Sequence, residues 1–138
     1  MKKIKNEIKV RITSNDDSEK IARSIVSAFL ESENPTVEEL GDIRCSVSEA
    51  VDNCVSHAYK EPSKKDYIYF SARIYDNREF SIEISDNGCG FDTARIGKHE
   101  TEIGSVVMQN FMDSVDIKSK IDKGTTVLMR KRLRNDRK

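Results

Sequence analysis

The sequence predicts a two-layer α/β sandwich with a largely antiparallel mixed sheet and its helices packed together on one face. Three observations predict it. Ile8-Val10-Ile12, Ile68-Phe70-Ala72-Ile74 and Phe80-Ile82-Ile84 each alternate with polar residues, the period of a strand with one buried face. Between the first and second of these runs the apolar spacing is helical throughout. Only Asp76-Asn77-Arg78 separates the second run from the third, which is short enough for an antiparallel hairpin. Strands with one apolar face need helices over it, while the other face meets water or another subunit.

After the first strand, Asn15 to Ser18 supply capping oxygens and early acids, and Ile21, Ile25, Ala28 and Phe29 recur at helical spacing. Asn34-Pro35-Thr36 ends that helix and starts another, with Thr36 and Glu39 in the pattern of a capping box. Val37, Leu40, Ile43, Val47, Ala50, Val51, Cys54, Val55 and Ala58 then sustain one apolar face. Pro62 to Lys65 form a loop before the hairpin strands. A short helix around Ser105 to Met112 follows a glycine-containing loop. Val115, Ile117, Ser119 and Ile121 alternate next, and Lys123-Gly124 turns the chain into a last strand, Thr125 to Leu133.

The 138 residues fit a single domain, 1–138, able to bury about two thirds of its unfolded surface, and show no repeat and no linker. With 24 basic and 24 acidic residues, no global field points to nucleic acid or to an anionic membrane. The basic run Arg130 to Lys138 reads as a solvated end. Cys45, Cys54 and Cys89 show no zinc spacing and read as reduced packing thiols. The N-terminus MKKIKNEIKV lacks an apolar signal core, and no run has the length of a membrane span, so a cytoplasmic protein is expected.

One stretch of the long helix, SEAVDNCVSHAY, places Glu49, Asn53 and His57 four apart along the border of the apolar stripe. An exposed polar edge with i, i+4 hydrogen bonds accounts for that spacing. So does a site, in which a carboxylate acts as general base and an amide oxygen one turn away ligates a hard cation such as Mg²⁺. Spacing alone leaves both open. The second segment, SDNGCGF from Ser85 to Phe91, directly follows a strand; alone it is a turn with glycines for positive φ. Both segments in this order, followed by Gly104 before a helix and Gly124-Thr125-Thr126 before a final strand, make a constellation.

In these segments the sequence resembles the GHKL nucleotide-binding superfamily, whose fold is the Bergerat ATP-binding sandwich. Within it the chain is similar to the small anti-sigma factors that are also serine-protein kinases, most of all the anti-sigma-F factors of sporulating bacteria. SEAVDNCVSHAY looks like their asparagine box, SDNGCGF like their first glycine box, and VVMQNFMDSVDI with KGTTVLMRK like their C-terminal third. Ala22-Arg23 and Ala28-Phe29 match a pattern in their early helix. The resemblance implies ATP or ADP with Mg²⁺ as ligands, and a sigma factor, an antagonist protein and a second copy of the chain as partners.

It also implies a role for each matching residue. Glu49 accepts the proton of the attacking serine hydroxyl, and Asn53 holds Mg²⁺. Asp86 takes a hydrogen bond from the adenine amino group, where guanine presents a carbonyl. Gly88 and Gly90 let the backbone pass close to the nucleotide. Gly104 opens a helix facing phosphate, and Thr125 or Thr126 completes the adenine pocket. Arg23 contacts the sigma factor, and His57 is structural.

The chain departs from the family between the glycine boxes. Only thirteen residues, FDTARIGKHETEI, separate Gly90 from Gly104, and Glu100 and Glu102 stand where the second box has arginine and glycine. Exchanging a positive for a negative charge about 4 Å from a phosphoryl group reverses an interaction of roughly 4 kcal/mol at an effective dielectric near 20. Phosphoryl transfer suffers more from this than base recognition does. Two functions follow: an ATP-dependent serine kinase that sequesters a sigma factor and phosphorylates its antagonist, or a partner-binding module with weak or no kinase activity. A histidine-kinase catalytic domain fits less well, because the chain has no room for a helical phosphoacceptor domain.

Overall fold

Alternation builds the sheet. In the computed structural model, which describes residues 2–55, 67–87, 107–120 and 124–134, β1 (Ile4–Thr13), β2 (Tyr67–Tyr75), β3 (Glu79–Asp86), β4 (Ser114–Lys120) and β5 (Gly124–Arg132) form one five-stranded sheet in the order β1-β2-β3-β5-β4. Every pairing between these described strands is antiparallel. Ile12, Ile68, Phe70, Ala72, Ile74, Phe80, Ile82, Ile84, Val127 and Met129 are buried on the inner face. Each side chain of this size fully removed from water contributes about 1.5–3 kcal/mol. The outer face carries Lys9, Arg11, Tyr67, Tyr69, Ser71, Arg73, Glu83 and Ser85.

Two helices join the inner face to one common core: α1 (Ser18–Leu30) and α2 (Val37–Asn53). The Phe29 and Phe80 rings meet at 6.4 Å, tilted by 51°, and so seat α1 on β3. α1 is rotated from the face expected of it. It buries Ala22, Val26, Phe29 and Leu30, while Ile21 stays 41% exposed and Ala28 is exposed as well. The two apolar stripes of this helix are adjacent, and the one containing both Phe29 and Leu30 offers the larger area to the core. Val37, expected on the buried face of α2, sits in its first turn and is 92% exposed.

The helix boundaries have local causes. At α1, Asn15 Oδ1 accepts from the Asp17 N–H at 2.8 Å, while Ser18 Oγ accepts from the Asn15 N–H and donates to the Thr13 carbonyl, each at 2.8 Å. The Asp17 side chain makes no cap. A 3₁₀ turn, Glu31–Glu33, follows α1 and ends on Asn34 in the left-handed region at φ 50°, a conformation asparagine tolerates. Pro35 also disfavours helix at the preceding residue. The capping box of α2 is complete: Thr36 Oγ1 accepts from the Glu39 N–H and Glu39 Oε1 from the Thr36 N–H. Past Asn53 the helix widens into a π-type turn at Cys54 and Val55, a feature frequent at functional sites.

The basic C-terminal run is not a loose end as far as Arg134. Arg130 to Arg132 belong to β5, Leu133 is buried, and the Arg134 N–H donates to Glu39 Oε2 at 2.8 Å. Lys131 follows the inner-face phase of β5. Its ammonium donates to the Phe111 carbonyl, at the end of helical segment 107–111, and lies 3.7 Å from Asp42.

Candidate functional site

The ends of α2, β3 and β5 converge at one corner of the inner face. Asp86 continues the phase of Phe80, Ile82 and Ile84, so its carboxylate points towards the helices and is only 4% exposed. Cys54, also buried, places its Sγ 3.2 Å from Asp86 Oδ2. The thiol is the donor, because a carboxylate offers acceptors only. Burial first, then the charge of Asp86 and the hydrogen bond to it, push the Cys54 thiol well above its usual range.

β5 meets the same corner through Gly124. At φ 91° it lies where only glycine is unstrained. A Cβ there would stand 2.1 Å from the Asp86 carbonyl oxygen and 3.0 Å from the Asn87 Cα. The absence of a side chain therefore lets β5 start directly against the end of β3. Thr125 and Thr126 then diverge. Ser85 pairs with Thr126, and Val127 is buried, so alternation sends Thr125 to the face of Asp86 and Thr126 to the outer face with Ser85 and Leu128. The Thr125 hydroxyl lies 2.8 Å from that of Ser119, which also donates to the Gly124 carbonyl at 3.2 Å.

Glu49 and Asn53 are half-buried on the last turns of α2. Asn53 immediately precedes the residue that holds Asp86, and Glu49 lies one turn back. Cys45 is exposed one turn earlier still; slight burial, then the Glu49 and Asp42 carboxylates, raise its thiol above the usual value. Arg23 is less free than the first helix suggested. Its guanidinium pairs with Glu19 at 2.8 Å and approaches Ser48 Oγ at 3.4 Å, which links α1 to α2. His57, Gly88, Cys89, Gly90, Glu100, Glu102 and Gly104 lie outside the described residues.

The donor set suits a magnesium nucleotide. Among the described residues no group of three His, Cys, Asp or Glu side chains could hold a metal ion; Asn53 offers an amide oxygen, a hard donor of the kind Mg²⁺ takes beside phosphate and water. A buried carboxylate offers acceptors only, which suits a base bearing an amino group. Two members of this corner have a part that the sequence did not assign them: Cys54, read as a packing thiol, and Gly124, named only as the start of the GTT run. The signals were present: Cys54 directly follows Asn53 in the helical motif, and Gly124 opens the GTT run. A depression of about 310 Å³ lined by Lys9, Arg11, Tyr69, Ser71, Glu83 and Ser85 lies on the outer face, opposite Asp86. It is not part of this corner. No helix among the described residues is long and apolar enough to cross a membrane.

Comparison with known proteins agrees with the fold. Residues 12–131 match the family described as histidine kinase-like ATPase domain. An anti-sigma F factor of Caldanaerobacter subterraneus is 37% identical over 96% of this chain and 97% of its own length. An anti-sigma F factor of Clostridium perfringens is 35% identical over 93% of this chain and 97% of its own. Among solved structures, the RsbU and RsbW domains of a Mycobacterium tuberculosis protein superpose with a TM-score of 0.72 at 17% identity, covering 93% of this chain and 32% of that one. The histidine kinase domain of a blue-light-activated kinase from Erythrobacter litoralis does so with a TM-score of 0.62 at 16% identity, covering 83% of this chain and 64% of that one. With one family spanning nearly the whole sequence and relatives above 30% identity end to end, the chain belongs to the histidine kinase-like ATPase domain family and, within it, to the anti-sigma F factors.

Proposed function

We propose that this protein is a nucleotide-dependent anti-sigma factor with serine-protein kinase activity: it holds a sigma factor and phosphorylates a small antagonist protein, using ATP with Mg²⁺. One arrangement carries the reading. A buried carboxylate, Asp86, closes β3 against the helix end that bears Glu49 and Asn53. Asp86 recognises the adenine amino group, Gly124 and Thr125 shape the same wall, and Gly88, Gly90 and Gly104 let backbone approach the nucleotide. Mg²⁺ bound with the nucleotide supplies charge neutralisation at the phosphates, and Asn53 lends it an amide oxygen.

In the transfer step Glu49 takes the proton of the antagonist's serine hydroxyl. The serine oxygen forms its bond to the γ-phosphorus as the bond from that phosphorus to the departing ADP oxygen breaks. Arg23, already ordered by Glu19, offers its remaining guanidinium donors to an acidic side chain of the sigma factor. Such a protein works in the cytoplasm. A second copy of the chain stacks on the outer sheet face, where Tyr67, Tyr69 and Tyr75 stand half-buried in one row and Arg11 and Lys2 already lie over the Tyr67 and Tyr75 rings, both at 4.4 Å.

A second reading keeps partner binding and loses the kinase, favoured by the carboxylates Glu100 and Glu102 in the lid sequence. Phosphate transfer from radiolabelled ATP to the antagonist separates the two. The kinase reading expects transfer that Glu49→Gln suppresses by roughly 10²- to 10⁴-fold while ADP binding persists. Absence of transfer both in the wild type and after Glu100→Arg selects the binding module. Arg23→Ala should weaken sigma-factor capture and leave ADP affinity unchanged; unaltered capture removes that role.

A further inference from the structure

Asp86 is held by contacts of unrelated kinds. Its backbone is wedged against Gly124, where any Cβ would stand 2.1 Å from the Asp86 carbonyl oxygen. Its side chain is gripped by Cys54, with Sγ 3.2 Å from Oδ2. Both ends of that second contact are buried, at 4% exposure each, so water competes little for the carboxylate oxygen. Cys54 and Asp86 come from α2 and β3 and are 32 residues apart in sequence. The contact is therefore a tertiary one between the helix carrying Asn53 and the strand carrying the base-recognition group.

A carboxylate on a short side chain has a broad, two-fold torsion at its last bond. A fixed donor on one oxygen orients the other. This matters for selectivity, because a carboxylate can only accept, and only where its oxygens are aimed. An acceptor matches the amino group of adenine; a donor matches the carbonyl of guanine.

We propose that Cys54 is a positioning residue that keeps the Asp86 carboxylate in one orientation, and so sets the preference for adenine over guanine. This rests on the reading of Asp86 as the base-recognition group. Cys54 does not touch the base; it acts through Asp86. Its neighbour Asn53 and the line to Glu49 serve phosphate chemistry, so a single helical turn carries both functions.

Titration calorimetry of ADP and GDP, each with Mg²⁺, against the wild type, Cys54→Ala, Cys54→Ser and Asp86→Ala tests it. Cys54→Ala should lose roughly tenfold in ADP affinity, the scale of one hydrogen bond to a charged group, and its ADP-to-GDP ratio should fall. Cys54→Ser, which restores a donor, should recover the ratio. A purely packing role predicts lower thermal stability at an unchanged ratio, and that result overturns the proposal, as does Cys54→Ser behaving like Cys54→Ala. Should Cys54→Ala fail to fold, Cys54→Val keeps most of the volume without the donor and serves in the same comparison. Unchanged ADP affinity in Asp86→Ala removes the base-recognition reading itself. Lost affinity there, beside a normal Cys54→Ala, removes only the role of Cys54.

Discussion

Gly124 and Cys54 show how single residues set this corner of the molecule. Replacing Gly124 by alanine would force a residue with a Cβ to φ 91° and drive that Cβ to 2.1 Å from a backbone oxygen. A flexible side chain can move aside from such a contact; the end of β3 cannot without distorting Asp86. Gly124→Ala is expected to cost about 3 kcal/mol or more in a urea titration, and to weaken ADP binding. For Cys54 the consequence lies in pH. Its thiol is raised well above the usual 9.0 by burial and by Asp86, so the folded protein keeps the proton to higher pH than the unfolded chain does. Stability from this group is complete below about pH 9.0 and is lost as pH climbs from there through the folded value. The denaturation midpoint of the wild type should consequently fall faster above pH 9.0 than that of Cys54→Ser, which does not titrate in this range.

Among the elements, the β2–β3 hairpin stands out because its turn uses an arginine where glycine or asparagine is usual. Arg78 sits at φ 67°, which costs a non-glycine residue about 1–2 kcal/mol. Its side chain explains the choice. The guanidinium donates to the Glu33 carbonyl at 3.0 Å and to the Arg134 carbonyl at 2.7 Å, and lies 3.4 Å from Glu33 Oε1. The Glu33 side chain is only 2% exposed, and Lys5 reaches its other oxygen at 2.7 Å. Removing one partner of a buried ion pair costs about 3–5 kcal/mol; here Lys5 remains and the Arg78 contact to Oε1 is long, so the loss is smaller. Arg78→Gly relieves the turn yet should lower stability by a net ~1–2 kcal/mol in urea. A gain would mean that Lys5 alone satisfies Glu33.

At the scale of the whole molecule, the sheet separates two chemically different faces. Its inner face and the helix ends hold the candidate nucleotide corner, while its outer face holds the tyrosine row and the 310 Å³ depression. Because side chains alternate along each strand, a substitution outside need not reach Asp86. If a second copy covers the outer face, Tyr69→Glu should shift the protein from dimer to monomer by sedimentation velocity while ADP affinity stays within about twofold, the scale of a few tenths of a kcal/mol expected for distant sites. A wild type that sediments as a monomer would remove the dimer from the proposed function.

Much of the fold and part of the site were legible because their causes are local. Strand alternation in β2 and β3, the three-residue hairpin link and the Thr36–Glu39 capping box each depend on residues a few positions apart, and each formed as the sequence predicts. Glu49 and Asn53 share one edge of α2 for the same reason. Contacts between elements were not legible. Two apolar stripes lie side by side on α1, and only packing against β3 and α2 selected the one with Phe29 and Leu30. Thr125 and Thr126 are chemically equal, and only the register with Ser85 divided them between the two faces. Periodicity, capping and side-chain type act over a few residues, so the strands, the helices and the residues able to bear the chemistry are written in the chain itself. The tertiary structure alone decided that a cysteine read as packing grips Asp86 and that Gly124 must lack a side chain, because both follow from how closely the ends of α2, β3 and β5 approach.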